Sequence, residues 1–306
     1  MVKETPPPRG RSTAAPVVAN VGGALRNPFE RRTAPEATER PTPAVSTREC
    51  ETCNGTRLLV ERGRELAEAR RCPTCQATCP HCSDSGYLFA TDENGYTVAR
   101  PCECKTLLDR IDAFNRTGIP ARYAHASFPR YAPKNAAQRN GRSEAYKFAN
   151  DFEQGQAGLL FYGPCGTGKT HLVVAILRHL VTMRGVRCRF VEFFHLLQDL
   201  KAGFADNRSP AELIDPLVNV PVLALDELGK GRGTEWEQNV LDELLTRRYN
   251  AGRTTLFTSN FAPRAEEGME SLPERVGVRI YSRLQEMAVA LHMPGEDHRK
   301  QLARER

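Results

Sequence analysis

No apolar run in this chain of 306 residues approaches the roughly 20 residues of a membrane-spanning helix, which excludes an α-helical integral membrane protein. The first residues carry no apolar h-region, so no secretory signal is expected and the cytoplasm is the expected location. Charge of one sign is also lacking. Lys and Arg number 43 against 37 Asp and Glu, and the net charge of +6 permits nucleic-acid contact without requiring it. Tryptophan occurs once, at Trp236. Residues 1–48 have almost no aromatic or periodic apolar signal but are rich in Pro, Ala, Thr and Arg. Such a segment cannot bury enough apolar surface to order itself, and a disordered basic arm is expected there.

Cysteine, by contrast, is abundant: ten residues, eight of them between Cys50 and Cys104. They fall as Cys50-x-x-Cys53, Cys72-x-x-Cys75, Cys79-x-x-Cys82 and Cys102-x-Cys104. In a reducing compartment, clustered pairs of this kind point to metal rather than disulfides. Each tight pair presents two thiolates to one ion, and two pairs complete a tetrahedral Zn²⁺ site. Chain order suggests one site from Cys50, Cys53, Cys72 and Cys75, and a second from Cys79, Cys82, Cys102 and Cys104. Crossed pairing and an iron–sulfur cluster are the alternatives. Tyr87–Ala90 and Tyr96–Ala99 flank an Asp-Glu-Asn-Gly turn, a hairpin that returns Cys102 and Cys104 beside Cys79 and Cys82. All ligand positions are filled, so a structural site is expected rather than a catalytic one. So short a region lacks a core of its own, and metal would supply its folding energy. Cys165 and Cys188 are expected to be free thiols.

From Gly158 onward, strand and helix patterns alternate, which predicts an α/β fold with a parallel sheet flanked by helices. Strands are predicted over 158–162, 187–193, 220–225 and 254–259, with helices over 169–184, 210–218 and 235–251. Upstream, helices are predicted over 107–115 and 141–153, with an extended segment at 119–123. Between the first strand and helix lies Gly163-Pro164-Cys165-Gly166-Thr167-Gly168-Lys169-Thr170, which fits the phosphate-binding P-loop. Glycines let backbone N–H groups close around phosphate oxygens, and the helix N-terminus adds its positive dipole end. Lys169 would reach the β- and γ-phosphates of ATP, and the Thr170 hydroxyl would ligate Mg²⁺.

The apolar run Pro221–Leu225 ends in Asp226 and Glu227, a Walker B pattern. Asp226 would hold Mg²⁺, and Glu227 would orient and deprotonate the attacking water, so hydrolysis is implied. Strand 254–259 ends at Asn260, placed to hydrogen-bond the water or the γ-phosphate. Arg279 and Arg283, four residues apart, share one helical face and are candidates to reach a neighbouring subunit's γ-phosphate.

In order, the motifs Gly163–Leu172, Leu225-Asp226-Glu227-Leu228-Gly229, Thr258-Ser259-Asn260 and Ile280-Tyr281-Ser282-Arg283-Leu284 resemble the AAA+ ATPases of the DnaC/IstB group, the bacterial helicase loaders and transposition ATPases. The segment Ile119–Tyr123 and the Cys79–Tyr87 module with Cys102 and Cys104 resemble parts of the same group. The set from Cys50 to Cys75 departs from it. The resemblance spans about residues 106–300 and implies a P-loop AAA+ sheet without a helical lid domain, preceded by a small zinc-ribbon-like module. It implies that Arg283 is an arginine finger with Arg279 beside it, and that His171 belongs with the phosphate-binding residues. Arg299 would be a sensor 2 residue. Single-stranded DNA contacts are implied for Lys201 and Phe204, for Thr234 and Trp236, and for Lys230 and Arg232. Trp236 serves equally well as a core or helix-cap anchor.

The expected organisation is a basic arm over 1–48, a zinc module over 49–105, connecting helices over 106–150 and the ATPase domain over 151–306. The expected function is ATP-dependent loading of a hexameric replicative helicase onto single-stranded DNA, by subunits that self-associate and hydrolyse ATP only when assembled. Two alternatives remain: a transposition helper that coats duplex DNA, and a zinc-module adaptor whose P-loop domain is a regulated scaffold.

Overall fold

The computed structural model describes residues 50–74, 78–92, 94–205, 209–231, 233–265, 268 and 270–298. The expected arm over 1–48 lies outside these. A five-stranded parallel sheet of order β6-β7-β8-β5-β9 organises the ATPase half. Its strands are β5 (Gly158–Tyr162), β6 (Cys188–Glu192), β7 (Val222–Leu228), β8 (Thr254–Ser259) and β9 (Ala288–His292).

Alternation along each strand splits the apolar side chains between two cores. Leu159, Phe161, Val222, Ala224 and Leu256 face one core. Leu160, Leu223, Leu225 and Phe257 face the other. Helices α1 (Lys105–Asn115), α2 (Ala136–Asn150) and α3 (Lys169–Arg184) bury residues in the first. Helices α4 (Phe193–Ala205), α5 (Pro210–Asn219), α6 (Glu235–Asn250), α7 (Leu272–Val276) and α8 (Val278–Met287) bury theirs in the second. Such a sheet, apolar on both faces and covered on both, is the arrangement parallel strands require.

The structure corrects three expectations. Helix α2 begins at Ala136 rather than 141, because Asn135 caps it: its side-chain oxygen accepts from Gln138 N at 2.8 Å. The extended run at 119–123 ends at Pro120 and gives way to a single 3₁₀ turn, Ala121–Tyr123. The fifth strand, β9, was not expected. It is an edge strand with alternation too weak to announce it, and only pairing with β5 from Gly158↔Ala288 to Tyr162↔His292 defines it.

Ahead of the sheet lie two hairpins, β1 (Leu58–Arg62) with β2 (Ala67–Arg71) and β3 (Tyr87–Thr91) with β4 (Thr97–Pro101). The second matches the expected hairpin. The first joins the core of α1–α3 through Leu58, Val60, Ala67 and Ala69. The amide of Asn115 fixes it there, accepting from Ala69 N at 2.6 Å and donating to Ala69 O at 3.2 Å. Among the described residues, no helix is long and apolar enough to cross a membrane.

Arg248 is fully buried in α6. Its guanidinium donates to the carbonyls of Leu217, Val218, Val220 and Thr254 and to the Thr255 hydroxyl. It thereby ties α5, the approach to β7 and the start of β8 to α6. Replacing it leaves those carbonyls without donors. We expect Arg248→Met to cost about 3 kcal/mol or more, read as a lower urea midpoint at unchanged slope.

Candidate nucleotide site and cysteine clusters

In an open parallel sheet, ligands bind beyond the C-terminal ends of the strands, where the strand order reverses. Here the chain leaves β5 for β6 on one side, while β9 lies on the other. The loop 163–168 joins β5 to α3 at this point. Gly168 occupies the N-cap of α3 in the left-handed region at φ 91°, and a Cβ there would lie 2.5 Å from the Tyr131 ring. Only glycine fits such a position. Tyr131 also holds the loop by donating from its hydroxyl to Thr167 O at 3.1 Å.

A cavity of about 230 Å³ lies over the loop, lined by Lys169, Thr170, Glu227, Thr258 and Asn260, with Arg122 and Tyr123 closing one side. The predicted phosphate-binding, Walker B and strand-tip residues are therefore brought together. A second cavity of about 250 Å³, across the loop, is lined by Tyr131, Gln138, His171 and His298. Lys169 Nζ folds back onto the loop carbonyls of Gly163 and Pro164, at 2.7 Å each.

At the centre sits Asp226, 1% exposed. Its Oδ1 accepts from the hydroxyls of Thr170 at 2.9 Å and Thr258 at 2.6 Å. Burial raises its pKa, and the two hydroxyls oppose that shift. A buried carboxylate flanked by a helix N-terminus and two hydroxyls has the donor chemistry of a divalent-cation site. Strand β8 lies between β5 and β7, which places Thr258 and Asn260 between the loop and the acids.

Glu227 departs from regular strand geometry. The β7–β8 register slips between Leu225 and Leu228, and Glu227 adopts φ 57°. A non-glycine residue in that region costs about 1–3 kcal/mol. Its N–H donates to Thr258 Oγ1 at 2.9 Å, which holds the bulge. The Glu227 carboxylate is paired with Lys230, whose Nζ also meets Glu192 Oε1 at 2.9 Å. Those two acids hold the Lys230 pKa at about 12.

Thr258, Arg122, Glu192 and Asp242 were missed by sequence reasoning. Arg122 lay within a segment already singled out. Thr258 stood in the Thr258-Ser259-Asn260 motif without a role of its own, whereas Glu192 and Asp242 carry no motif signal, and contact alone reveals them. Asp242 on α6 pairs with Arg283 and lies 3.6 Å from Arg279. Neither arginine lines the loop cavity of its own chain.

The remaining candidates fall elsewhere. Lys201 Nζ sits 4.8 Å over the Trp236 ring, and Trp236 packs against the core beneath α4 and α6. Thr234 is the N-cap of α6, its hydroxyl accepting from Glu237 N at 3.3 Å in a capping box. Arg232, Arg299, Cys75 and the side chain of Phe204 lie outside the described residues.

The thiols of Cys79, Cys82, Cys102 and Cys104 lie within 4.8 Å of one another, as do those of Cys50, Cys53 and Cys72. The Cys79–Cys102 and Cys50–Cys72 sulfurs are 3.8 Å apart. Two thiolates at 2.3 Å from a tetrahedral ion stand about 3.8 Å apart, so the described donors fit zinc. Burial and the neighbouring thiols push Cys104 up to about 12, a crowding that a bound cation would relieve.

The chain matches the IstB-like ATP binding protein family over residues 124–305. It is 28% identical over 172 residues to the replicative helicase loader DnaC of Escherichia coli K12, covering 56% of this chain and 67% of that protein. It is 30% identical over 171 residues to the DnaC loader of Buchnera aphidicola subsp. Schizaphis graminum, covering 55% and 67%. A crystal structure of the DnaC helicase loader is similar with a TM-score of 0.51 at 32% identity, over 56% of this chain and 98% of that one.

His171 borders both cavities, and His179 lies two turns further along α3. Burial lowers the pKa of each, with the Arg184 charge adding to the effect at His179. The unfolded chain then binds more protons than the folded one below about pH 6.5. Their contribution to stability is full above that pH and is lost as pH falls through their folded values. Urea denaturation at about pH 5.5 and 7.5 should show a drop in acid that shrinks in the His171→Gln/His179→Gln variant.

Proposed function

On the footing that this chain belongs to the IstB-like ATP binding protein family of DnaC/IstB-like AAA+ ATPases, we propose that it hydrolyses ATP and loads a hexameric replicative helicase onto single-stranded DNA. The supporting observation is that the family match over residues 124–305 contains the whole cradle of Lys169, Thr170, Asp226, Glu227, Thr258 and Asn260.

In this reading the backbone N–H groups of residues 165–170 hold the phosphates, and Lys169 leaves the Gly163 and Pro164 carbonyls for the β- and γ-phosphates. Thr170 and Asp226 would hold Mg²⁺, which neutralises charge on the phosphates. Glu227 takes a proton from the attacking water while Asn260 orients it. The water oxygen then bonds to the γ-phosphorus, and the bond to the bridging oxygen breaks, leaving ADP and phosphate. Glu227 must first part from Lys230. Arg283 is assigned to the neighbouring subunit's γ-phosphate, with Arg279 beside it, so turnover requires self-association. Arg299, outside the described residues, is assigned to the nucleotide as sensor 2. Lys201, Phe204, Lys230, Arg232, Thr234 and Trp236 are assigned to single-stranded DNA, of which Lys201 over Trp236 is the best-formed pair.

The cysteine module over 49–105 is assigned two structural zinc ions and, with the arm over 1–48, contact with the helicase. The whole would act in the cytoplasm. The match to the IstB-like family is compatible with one rival, a transposition helper that coats duplex DNA.

The deciding experiment is native mass spectrometry of the protein with its replicative helicase, in ATP and in ADP. A stoichiometric complex that captures single-stranded DNA in ATP is expected. No complex in either nucleotide, with filaments on duplex DNA, would establish the rival. Arg283→Ala should lower the ATPase rate of the assembled protein by about 10³-fold or more, and undiminished turnover would remove the finger assignment. Elemental analysis should find about two zinc ions per chain, falling to about one in Cys79→Ser.

A further inference from the structure

A groove of about 1030 Å³ lies at the end of the sheet away from the nucleotide cradle, between α1, the turn from α3 into β6, and the turn from α5 into β7. Five arginines line it: Arg110 from α1, Arg116 from its C-cap, Arg184 from the last turn of α3, and Arg187 and Arg189 around the start of β6. The length of α3, about 24 Å, separates it from the P-loop. It is lined from both faces of the sheet, by α1 and α3 on one and by the end of α5 on the other.

The α1 helix explains the groove's charge. Leu107, Ile111 and Phe114 turn one face of α1 into the core, and Arg110 and Ala113, which flank that face, line the groove, Ala113 also packing against the core. The two carboxylates in the groove already have partners on their own helix: Asp109 with Lys105 at 2.7 Å, and Asp112 with Arg116 at 3.0 Å. Among the described residues, Arg110, Arg184, Arg187 and Arg189 have no carboxylate partner. Arg184 donates to the carbonyls of Asn150 and Phe152, and Arg189 Nη1 to Arg116 O at 2.6 Å. The Nε–H groups of Arg110 and Arg189 are buried and have no hydrogen-bond acceptor. Clustered like charges with unsatisfied donors are costly unless an anion accompanies them.

We propose that this groove binds the phosphate backbone of a nucleic acid. Guanidinium forks match phosphate oxygens two at a time. Arg187 and Arg189 stand about 6.6 Å apart along the chain, and Arg110 and Arg116 about 9 Å apart along the axis of α1, so the guanidiniums are spread over a length that several phosphates could span. The apolar side chains that line it are short ones, Ala113, Cys188, Pro216 and Val220, with no aromatic residue. An acidic peptide would find no pocket for an anchoring side chain, and bases would find no ring to stack on. What remains is contact with the backbone alone, independent of sequence and steeply dependent on salt. This site is separate from the Lys201–Trp236 pair and does not rest on the loader assignment.

The test is fluorescence anisotropy of labelled single-stranded and duplex oligonucleotides, with the full chain alone and without ATP, from about 50 to 200 mM salt. Arg116 and Arg187 are both exposed and outside the core, so Arg116→Ala/Arg187→Ala leaves the fold intact. The arginines of residues 1–48 contribute equally to every variant. Two lost phosphate contacts should lower the slope of log affinity against log salt by about 1.4–1.8 and weaken low-salt binding by roughly tenfold. Arg116→Lys/Arg187→Lys should keep the slope, which separates lost charge from lost structure. An unchanged slope and affinity in the alanine variant would overturn the proposal. So would displacement of the oligonucleotide by polyglutamate at equal charge concentration, which would make the groove a site for acidic peptides. Either failure would leave the helicase-complex experiment unaffected.

Discussion

Asp226 is a carboxylate taken almost wholly out of water, and its environment follows from that. Burying a charge costs several kcal/mol unless hydrogen bonds or counter-charge offset it. The hydroxyl of Thr170 comes from the first turn of α3, and that of Thr258 from the neighbouring strand β8. Satisfying Asp226 therefore fixes three elements relative to one another: the helix after the P-loop, the strand carrying the acids, and the strand between them. Thr258 also accepts from Glu227 N, so the same hydroxyl holds the bulge that turns Glu227 out of the ladder. The cradle is assembled around one buried charge, and the residual deficit of positive charge there suits a divalent cation.

Around this centre, the charges assigned to function are already partnered within the chain. Lys230 bridges Glu227 and Glu192, and Asp242 gathers Arg279 and Arg283. In the proposed reading each pair must open before its members act, the first for water to approach Glu227 and the second for Arg283 to reach across a subunit boundary. Partly exposed ion pairs are worth little, about 0–1 kcal/mol, which makes them suitable as contacts that a nucleotide or a neighbouring subunit displaces. The arginine groove differs in kind, because four of its arginines have no carboxylate to leave.

The cysteine segments solve a different problem. The hairpin of β3 and β4 is exposed along both strands, so its own side chains bury little on folding. In the proposed reading, a metal ion held by the four convergent thiols at its base supplies what packing does not. The β1–β2 hairpin buries alternate residues against α1 and joins the main core, so its cysteine set is braced from both sides.

The sequence by itself determined whatever depends on short spacing: the P-loop between strand and helix, the acids ending β7, the cysteine pairs, and helices α3, α5 and α6. These are local patterns, because backbone hydrogen bonding and side-chain periodicity repeat within a few residues. Tertiary structure alone decided the pairing of β9 with β5, whose edge position gives it no distinctive pattern, and the start of α2, which rests on one side-chain cap. It alone brought Thr258 to Asp226, Glu192 to Lys230 and Asp242 to Arg283, contacts spanning 32 to 41 residues that no spacing rule encodes. It also gathered arginines from α1, α3 and β6 into one groove. Charge carries no periodicity, so which charges meet is settled only when the apolar faces have packed.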